Sequence, residues 1–394
     1  MRDLFLTGLG ELTTNLGPPI RDAVVAVENG IITYAGSSAD APDQTGDRYD
    51  CDGSAVIPGF VDAHTHLVFA GDRSDEFARR LAGESYEEIA SGGGGILSTM
   101  ASTRDAAEEE LFDLAVGRVW RMIMTGTTTL EVKSGYGLDL ETELRQLRVA
   151  RRLGEALPVT VKTTFLGAHS IPPEYSSDRA GYVDLVVEEM LPAASPLADY
   201  CDVFVEETAF SVDEARRIFE RASELGLGVR IHAEQLGHTG GAQLAAELGA
   251  ASADHLDHAN EDDARALAEA DVVAVLVPGA SYTLRSRQAP ARMLADSGCT
   301  VALATDCNPG TSYFESMAPI LSLGVVQMGL RVDEAIEAAT LGGARSLDLD
   351  ERGMIVEGAV ADLAVLDAPS AAHLVYRPGA SLVRQTFKGG MPVS

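Results

Sequence analysis

Apolar positions along this chain fall into two regimes. Over residues 1–55 short apolar runs are broken by Gly and Pro, and AVVAVENGIITYAG reads as two of them joined at Glu28-Asn29-Gly30. Asn-Gly between such runs signals a β-hairpin, because both residues accept the positive φ of a tight turn. The other end of the chain repeats the style in GMIVEGAVADLAVLD and SLVRQTFKGGMPV. Two β-rich ends around a different middle predict one small β-sandwich domain built from residues 1–55 and 356–394.

The middle, 56–355, changes period. Strand-like apolar runs at 54–66, 126–133, 159–168, 202–207, 228–234, 252–256, 271–277 and 300–306 alternate with amphipathic stretches. Those stretches fall at 105–124, 139–156, 182–194, 212–226, 239–249, 261–269 and 286–297. Strand and helix in alternation is the pattern of parallel βαβ units, and eight repeats predict an α/β fold of the (β/α)8 TIM-barrel type. Barrels of this kind carry their chemistry at the C-terminal ends of the strands.

The polar residues at those ends are therefore the ones to read. Strand one ends in His64-Thr65-His66, and a period of two puts both imidazoles on one side. Alone, the pair fits half of a metal site or two hydrogen-bonded core histidines. Strand two ends in Glu131-Val132-Lys133-Ser134-Gly135-Tyr136 and strand three in Gly167-Ala168-His169. Strand four ends in Glu206-Glu207, strand five in His232-Ala233-Glu234-Gln235, and strand six in Asp254-His255. Strand eight runs into Thr305-Asp306-Cys307-Asn308-Pro309-Gly310-Thr311. Five of the eight histidines thus stand at predicted strand ends, which chance would scatter.

Composition narrows the partners. Sixty acidic residues against thirty basic ones give a net charge of −30, and three of the basic residues are lysine (Lys133, Lys162, Lys388). That balance argues against nucleic acid or an anionic membrane surface. It suits a strongly solvated surface in a salty cytoplasm, or simply a genome that favours Arg, Ala and Gly codons. No apolar run approaches the ~18 residues of a membrane span, and MRDLFL does not start a signal peptide. Four scattered cysteines without a CxxC pair fit reduced thiols in the cytoplasm. Gly92–Gly95 has no strand leading into it and no GK[ST] after it, so it reads as a mobile loop near the mouth.

HxH on strand one, His on strands five and six, and Asp on strand eight resemble the amidohydrolase superfamily over the whole chain. VDAHTHLVFAGDR, SGGGGIL, TGTTTLEVKSGYGL, FLGAHSIPPEY, IHAEQ, SADHL and ATDCNPGT are similar, more narrowly, to one branch of it. That branch opens the ring of 4-imidazolone-5-propanoate to N-formimino-L-glutamate in histidine degradation. The resemblance implies one zinc or iron ion held by His64, His66, His232 and Asp306. A cation with three imidazoles and a carboxylate keeps room for water and lowers its pKa towards ~7. Two-metal relatives use a lysine at the end of strand four, where this chain has Val205-Glu206-Glu207, so a single metal is expected.

Ring opening also needs proton transfer and carbonyl polarisation. The resemblance gives those duties to Asp306 and His255, with Gln235 against the ring; a glutamine cannot take a proton. Glu234 reads as structural. For the propionate, Arg73 is the candidate cation, although alone it would read as a surface ion pair. Tyr86, Tyr136 and His169 would add hydrogen bonds, and Asn308, Gly310 and Thr311 would line the opposite wall. Lys133 reads as the ion-pair partner of Glu131. Relatives of this branch are commonly homodimers. Two alternatives stay open: a deaminase of the same architecture, which usually has Glu at the place of Gln235, and a metal-binding barrel without catalysis.

Overall fold

The computed structural model describes residues 3–44, 46–84 and 94–393. Tyr86, and Gly92 and Gly93 of the glycine run, lie outside the described residues. Eight parallel strands stand side by side in chain order: Phe60–Asp62, Thr127–Lys133, Thr160–Ala168, Tyr200–Val205, Gly228–Ala233, Ser252–His255, Val273–Leu276 and Val301–Leu303. The ring is completed beyond the ends of the first and last strands. There Asp306 N–H donates to His64 O at 2.9 Å and His66 N–H to Cys307 O at 3.0 Å. The residues that complete the barrel are thus the residues of the predicted metal site.

Helices cover the barrel where the amphipathic stretches predict them, among them Glu108–Met124, Leu140–Ala156, Val212–Glu224, Gly241–Leu248 and Glu261–Glu269. Each buries its apolar face; Leu147, Ile218, Phe219 and Leu267 are fully enclosed against the strands. The stretch 286–297 is helical only over Ala291–Asp296, because Pro290 stands at its start and a separate helix, Pro278–Leu284, precedes it. The first βα connection is long and carries helices Ser74–Leu81 and Ile96–Asp105, which the apolar pattern does not announce.

The run 54–66, read as one strand, is two. Ala55–Pro58 pairs antiparallel with Leu363–Leu366 in the sheet of the chain ends, and Phe60–Asp62 starts the barrel. The switch falls at Gly59, where a Cβ would lie 2.4 Å from the Thr128 side chain. Both pieces are buried on both faces, so nothing in their hydrophobicity marks the break.

The two ends form two facing sheets. One holds Leu4–Leu9, Ala23–Glu28, Ile31–Ser37 and Asp47–Asp50; the other holds Glu11–Leu12, Ala55–Pro58, Leu363–Leu366, Val383–Lys388 and Met391–Pro392. Leu6, Val25 and Ile32 from the first pack with Val56, Leu363 and Phe387 from the second. The hairpin turn is at Asn29 and Gly30, with φ of 52° and 83°. Lys388 ties the sandwich to the barrel base through Thr128 O (2.9 Å), Thr160 Oγ1 (2.7 Å) and Asp362 (2.7 Å).

Candidate metal centre and active site

His64 leaves the first strand fully buried, and its Nδ1 lies 2.6 Å from Asp254 Oδ2. His232, on the fifth strand, places Nδ1 3.0 Å from Asp202 Oδ1. A carboxylate only accepts, so both imidazoles carry their proton on Nδ1 and present a bare Nε2 lone pair. His66 Nε2 lies 3.2 Å from His64 Nε2 and 3.3 Å from His232 Nε2. Asp306 Oδ1 stands 3.6 Å from the Nε2 atoms of both His64 and His66. Lone pairs do not bind one another, so two overlapping buried groups, His64 with His66 and Asp306 and His64 with His232 and His255, each fit a cation among their ligand atoms.

The electrostatics agree. Burial above all, then neighbouring cations and imidazoles, hold His64, His66 and His232 well below the ordinary imidazole value, which keeps them neutral as ligands must be. Burial drives Asp306 well above the usual carboxylate range, a cost that a cation beside it would offset.

Beneath the ligands lies a buried charge cluster. Lys133 Nζ donates to Glu131 at 2.9 Å and Asp202 at 2.8 Å and lies 3.5 Å from Asp254. The expected pair with Glu131 is present, but as part of a larger set. Arg230, also enclosed, approaches Asp254 to 3.5 Å and donates to the carbonyls of Ala63 (2.9 Å) and Ser346 (2.5 Å). Asp202 and Arg230 had a sequence signal that the strand-end reading passed over, and Asp254 was named there only as the residue before His255. Each is a charge inside an apolar strand, which demands a buried partner.

Around the centre, His255 packs edge-on to His64 (ring centroids 5.4 Å apart) and 5.2 Å from His232. Its Nδ1 is buried without a partner, and burial pushes its pKa down to about 4. His169 stacks on His66 at 5.2 Å, its Nδ1 donating to Gly135 O at 2.9 Å. Tyr136 stands 5.8 Å from His66 and 5.6 Å from His169. Gln235 is half-buried in a turn held by Glu206, which accepts from the N–H groups of Gln235 and Leu236, both at 2.8 Å. Glu234 turns away and accepts from Thr239, Gly240 and Ala242 N–H at the start of a helix.

Asn308 uses its carboxamide on its own loop. Oδ1 accepts from Gly310 and Thr311 N–H at 2.8 Å each, and Nδ2 donates to Asp306 O at 2.7 Å. Arg73 is nearly buried, packs on Gly310, and gives both Nε (2.9 Å) and Nη2 to Glu76. It is thus an ion-pair partner that also packs against the loop after Asp306.

The sequence profile of the Amidohydrolase family matches residues 55–393, and the chain belongs to that family. Its curated relatives are narrower in kind. An imidazolonepropionase of Rhizorhabdus wittichii is 50% identical, over 91% of this chain and 92% of its own. An imidazolonepropionase of Salinispora tropica is 47% identical, over 100% of this chain and 99% of its own. Among solved structures, an adenosine deaminase from Xanthomonas campestris superposes with a TM-score of 0.72 over 99% of this chain and 92% of its own. At 21% identity that likeness is one of fold alone.

Proposed function

We propose that this chain hydrolyses the ring of 4-imidazolone-5-propanoate to N-formimino-L-glutamate, a step of histidine degradation. The observation that carries the reading is near-half identity to imidazolonepropionases over nearly the full length, joined to overlapping buried ligand groups centred on His64, one with His66 and Asp306 and one with His232 and His255. One zinc or iron ion would be held by His64, His66, His232 and Asp306. When bound, such a cation polarises a carbonyl and lowers the pKa of a water towards ~7.

In the reaction water adds its oxygen to the ring carbonyl carbon, the bond from that carbon to the ring nitrogen breaks, and the nitrogen gains a proton. Asp306 would take the water's proton, since its carboxylate stands beside the place where that water would be held. His255, neutral at pH 7, would accept a proton rather than give one up at the outset, while its one N–H can donate a hydrogen bond. Gln235 has no acid–base function and would hold the ring through its carboxamide. Tyr136 and His169 would bind ring or chain, with Arg73 on the propionate beside Asn308, Gly310 and Thr311; Tyr86 would join them.

The reading expects an enzyme of the cytoplasm acting on a small molecule, without nucleic-acid or membrane partners, and leaves a homodimer open. Among the described residues no helix is long and apolar enough to cross a membrane. Turnover of freshly made 4-imidazolone-5-propanoate, followed by ring absorbance and product identification, tests the proposal. Chelator-sensitive formation of N-formimino-L-glutamate is expected. Folded, metal-loaded protein that leaves the ring intact in both low and molar salt would overturn it.

A further inference from the structure

Residues 67–69 and 135–138, in the loops after the first two barrel strands, belong to no strand, and side chains meet their backbone groups instead. Leu67, Val68 and Phe69 follow the ligand His66 and are enclosed. Arg118, on the helix before strand Thr127–Lys133, donates Nη1 to Leu67 O and Phe69 O, both at 2.9 Å. Gln146, on the helix after that strand, donates Nε2 to Val68 O at 2.8 Å. Three consecutive carbonyls that burial would otherwise leave unpaired are thus satisfied from two helices.

The same carboxamide has a second partner. Gln146 Oε1 accepts from Tyr136 N–H at 3.1 Å, among the Gly135, Gly137 and Leu138 N–H groups that Glu143 takes. The residue types follow from what each side chain meets. Glu143 faces donors there and is a carboxylate; position 146 faces a donor and an acceptor at once and is a carboxamide. Aromatic rings add a parallel path. The Arg118 guanidinium lies 3.5 Å from the Phe69 ring centroid, and that ring meets Tyr136 edge-on at 6.3 Å. Burial, then Asp306, push the pKa of the Tyr136 phenol up, so it stays protonated and can donate a hydrogen bond at neutral pH.

We infer that Gln146 is a positioning residue that ties the loop after strand two to the loop after strand one and so sets the Tyr136 hydroxyl relative to His66, with Arg118 holding the first loop. This rests on the proposed function, in which Tyr136 touches the substrate. The rings of His66 and Tyr136 come from different strands, 5.8 Å apart, and Gln146 bonds to the backbone on both sides of that gap. Misplacing a substrate contact by about 1 Å can cost on the order of 100-fold in rate, so the tie acts on catalysis without touching substrate.

Two measurements on the intact, metal-loaded protein test the assignment. The first is a double-mutant cycle in kcat/KM for 4-imidazolone-5-propanoate. Gln146→Met removes both bonds at similar length, and Tyr136→Phe removes only the hydroxyl. Gln146→Met is expected to lower kcat/KM about tenfold with Tyr136 present and less than about twofold in Tyr136→Phe protein. Equal losses in both backgrounds would mark a merely structural role and overturn the assignment. The second is amide hydrogen exchange, which needs no turnover. In Gln146→Met, segments 67–70 and 135–138 should both exchange at least about tenfold faster, with 308–312 as in the wild type. Faster exchange in one loop alone, or equally everywhere, would overturn the tie. If Gln146→Met does not fold, Gln146→Asn decides by the same two readings, because it keeps the carboxamide and is one methylene too short to reach both loops. Wild-type protein that opens no ring, with exchange as expected, would sink the proposed substrate and uphold the tie.

Discussion

No water reaches the ammonium of Lys133, and its charge is balanced by three carboxylates within 3.5 Å. Two of these, Asp202 and Asp254, orient His232 and His64, so a single cation steadies two imidazoles of the metal cluster. Removing one partner from a buried ion pair costs about 3–5 kcal/mol, and loss of such outer support typically weakens metal binding about 10–100-fold. Lys133→Met is expected to show both effects, measured by thermal melting and by zinc competition with a chelator. Asp257 is a second buried charge, 2.8 Å from Ser281 Oγ, and burial pushes its pKa up to about 7. Unfolded, the group titrates near ~3.9, so the folded state binds more protons between these values. Stability therefore falls as pH rises through that window, and the full cost is present above pH 7. Asp257→Asn should stabilise the protein by on the order of 1–3 kcal/mol at pH 8, a gain that shrinks towards pH 4 in a melting series.

Among the elements, the loops at the barrel mouth share a construction: one acceptor side chain gathers several backbone N–H groups. Glu143, in the first turn of helix Leu140–Ala156, accepts from Gly135 (2.9 Å), Gly137 (2.8 Å) and Leu138 (2.8 Å), and so shapes the loop carrying Tyr136. Glu206 does this for the Gln235 turn and Asn308 for the loop after Asp306. Glu143→Gln has one acceptor oxygen where the carboxylate has two. It should cost about 1–3 kcal/mol of stability and raise KM, measured by melting and steady-state kinetics on one preparation. Strand ends five, six and eight add left-handed backbone at Glu234 (φ 55°), His255 (φ 75°), Leu256 (φ 62°) and Asp306 (φ 52°). Such conformations cost non-glycine residues about 1–3 kcal/mol each and persist only where surrounding structure holds them. Residue type announces neither the turns nor their acceptors, because both depend on neighbours brought in from elsewhere in the chain.

For the whole molecule, a net charge of −30 sets up self-repulsion that salt screens. Raising NaCl from about 0.05 to 1 M should lift the melting temperature by roughly 5 °C or more. A flat or falling series would leave codon bias as the better account of the acidity. The eight strands, most of the helices, the Asn29-Gly30 hairpin and the strand-end histidines were legible in the sequence because each is a local property. Periods of two and 3.6 record which face is buried, and turn residues record which φ is allowed. The division of 54–66 between two sheets at Gly59 was not legible, since an uninterrupted apolar run has the same composition in either. Nor were the completion of the barrel at His64 and Asp306 and the joining of Asp202 and Asp254 to the Lys133–Glu131 pair. These depend on which side chains from distant strands come within hydrogen-bond reach inside a closed barrel, and that distance exists only once the chain has folded.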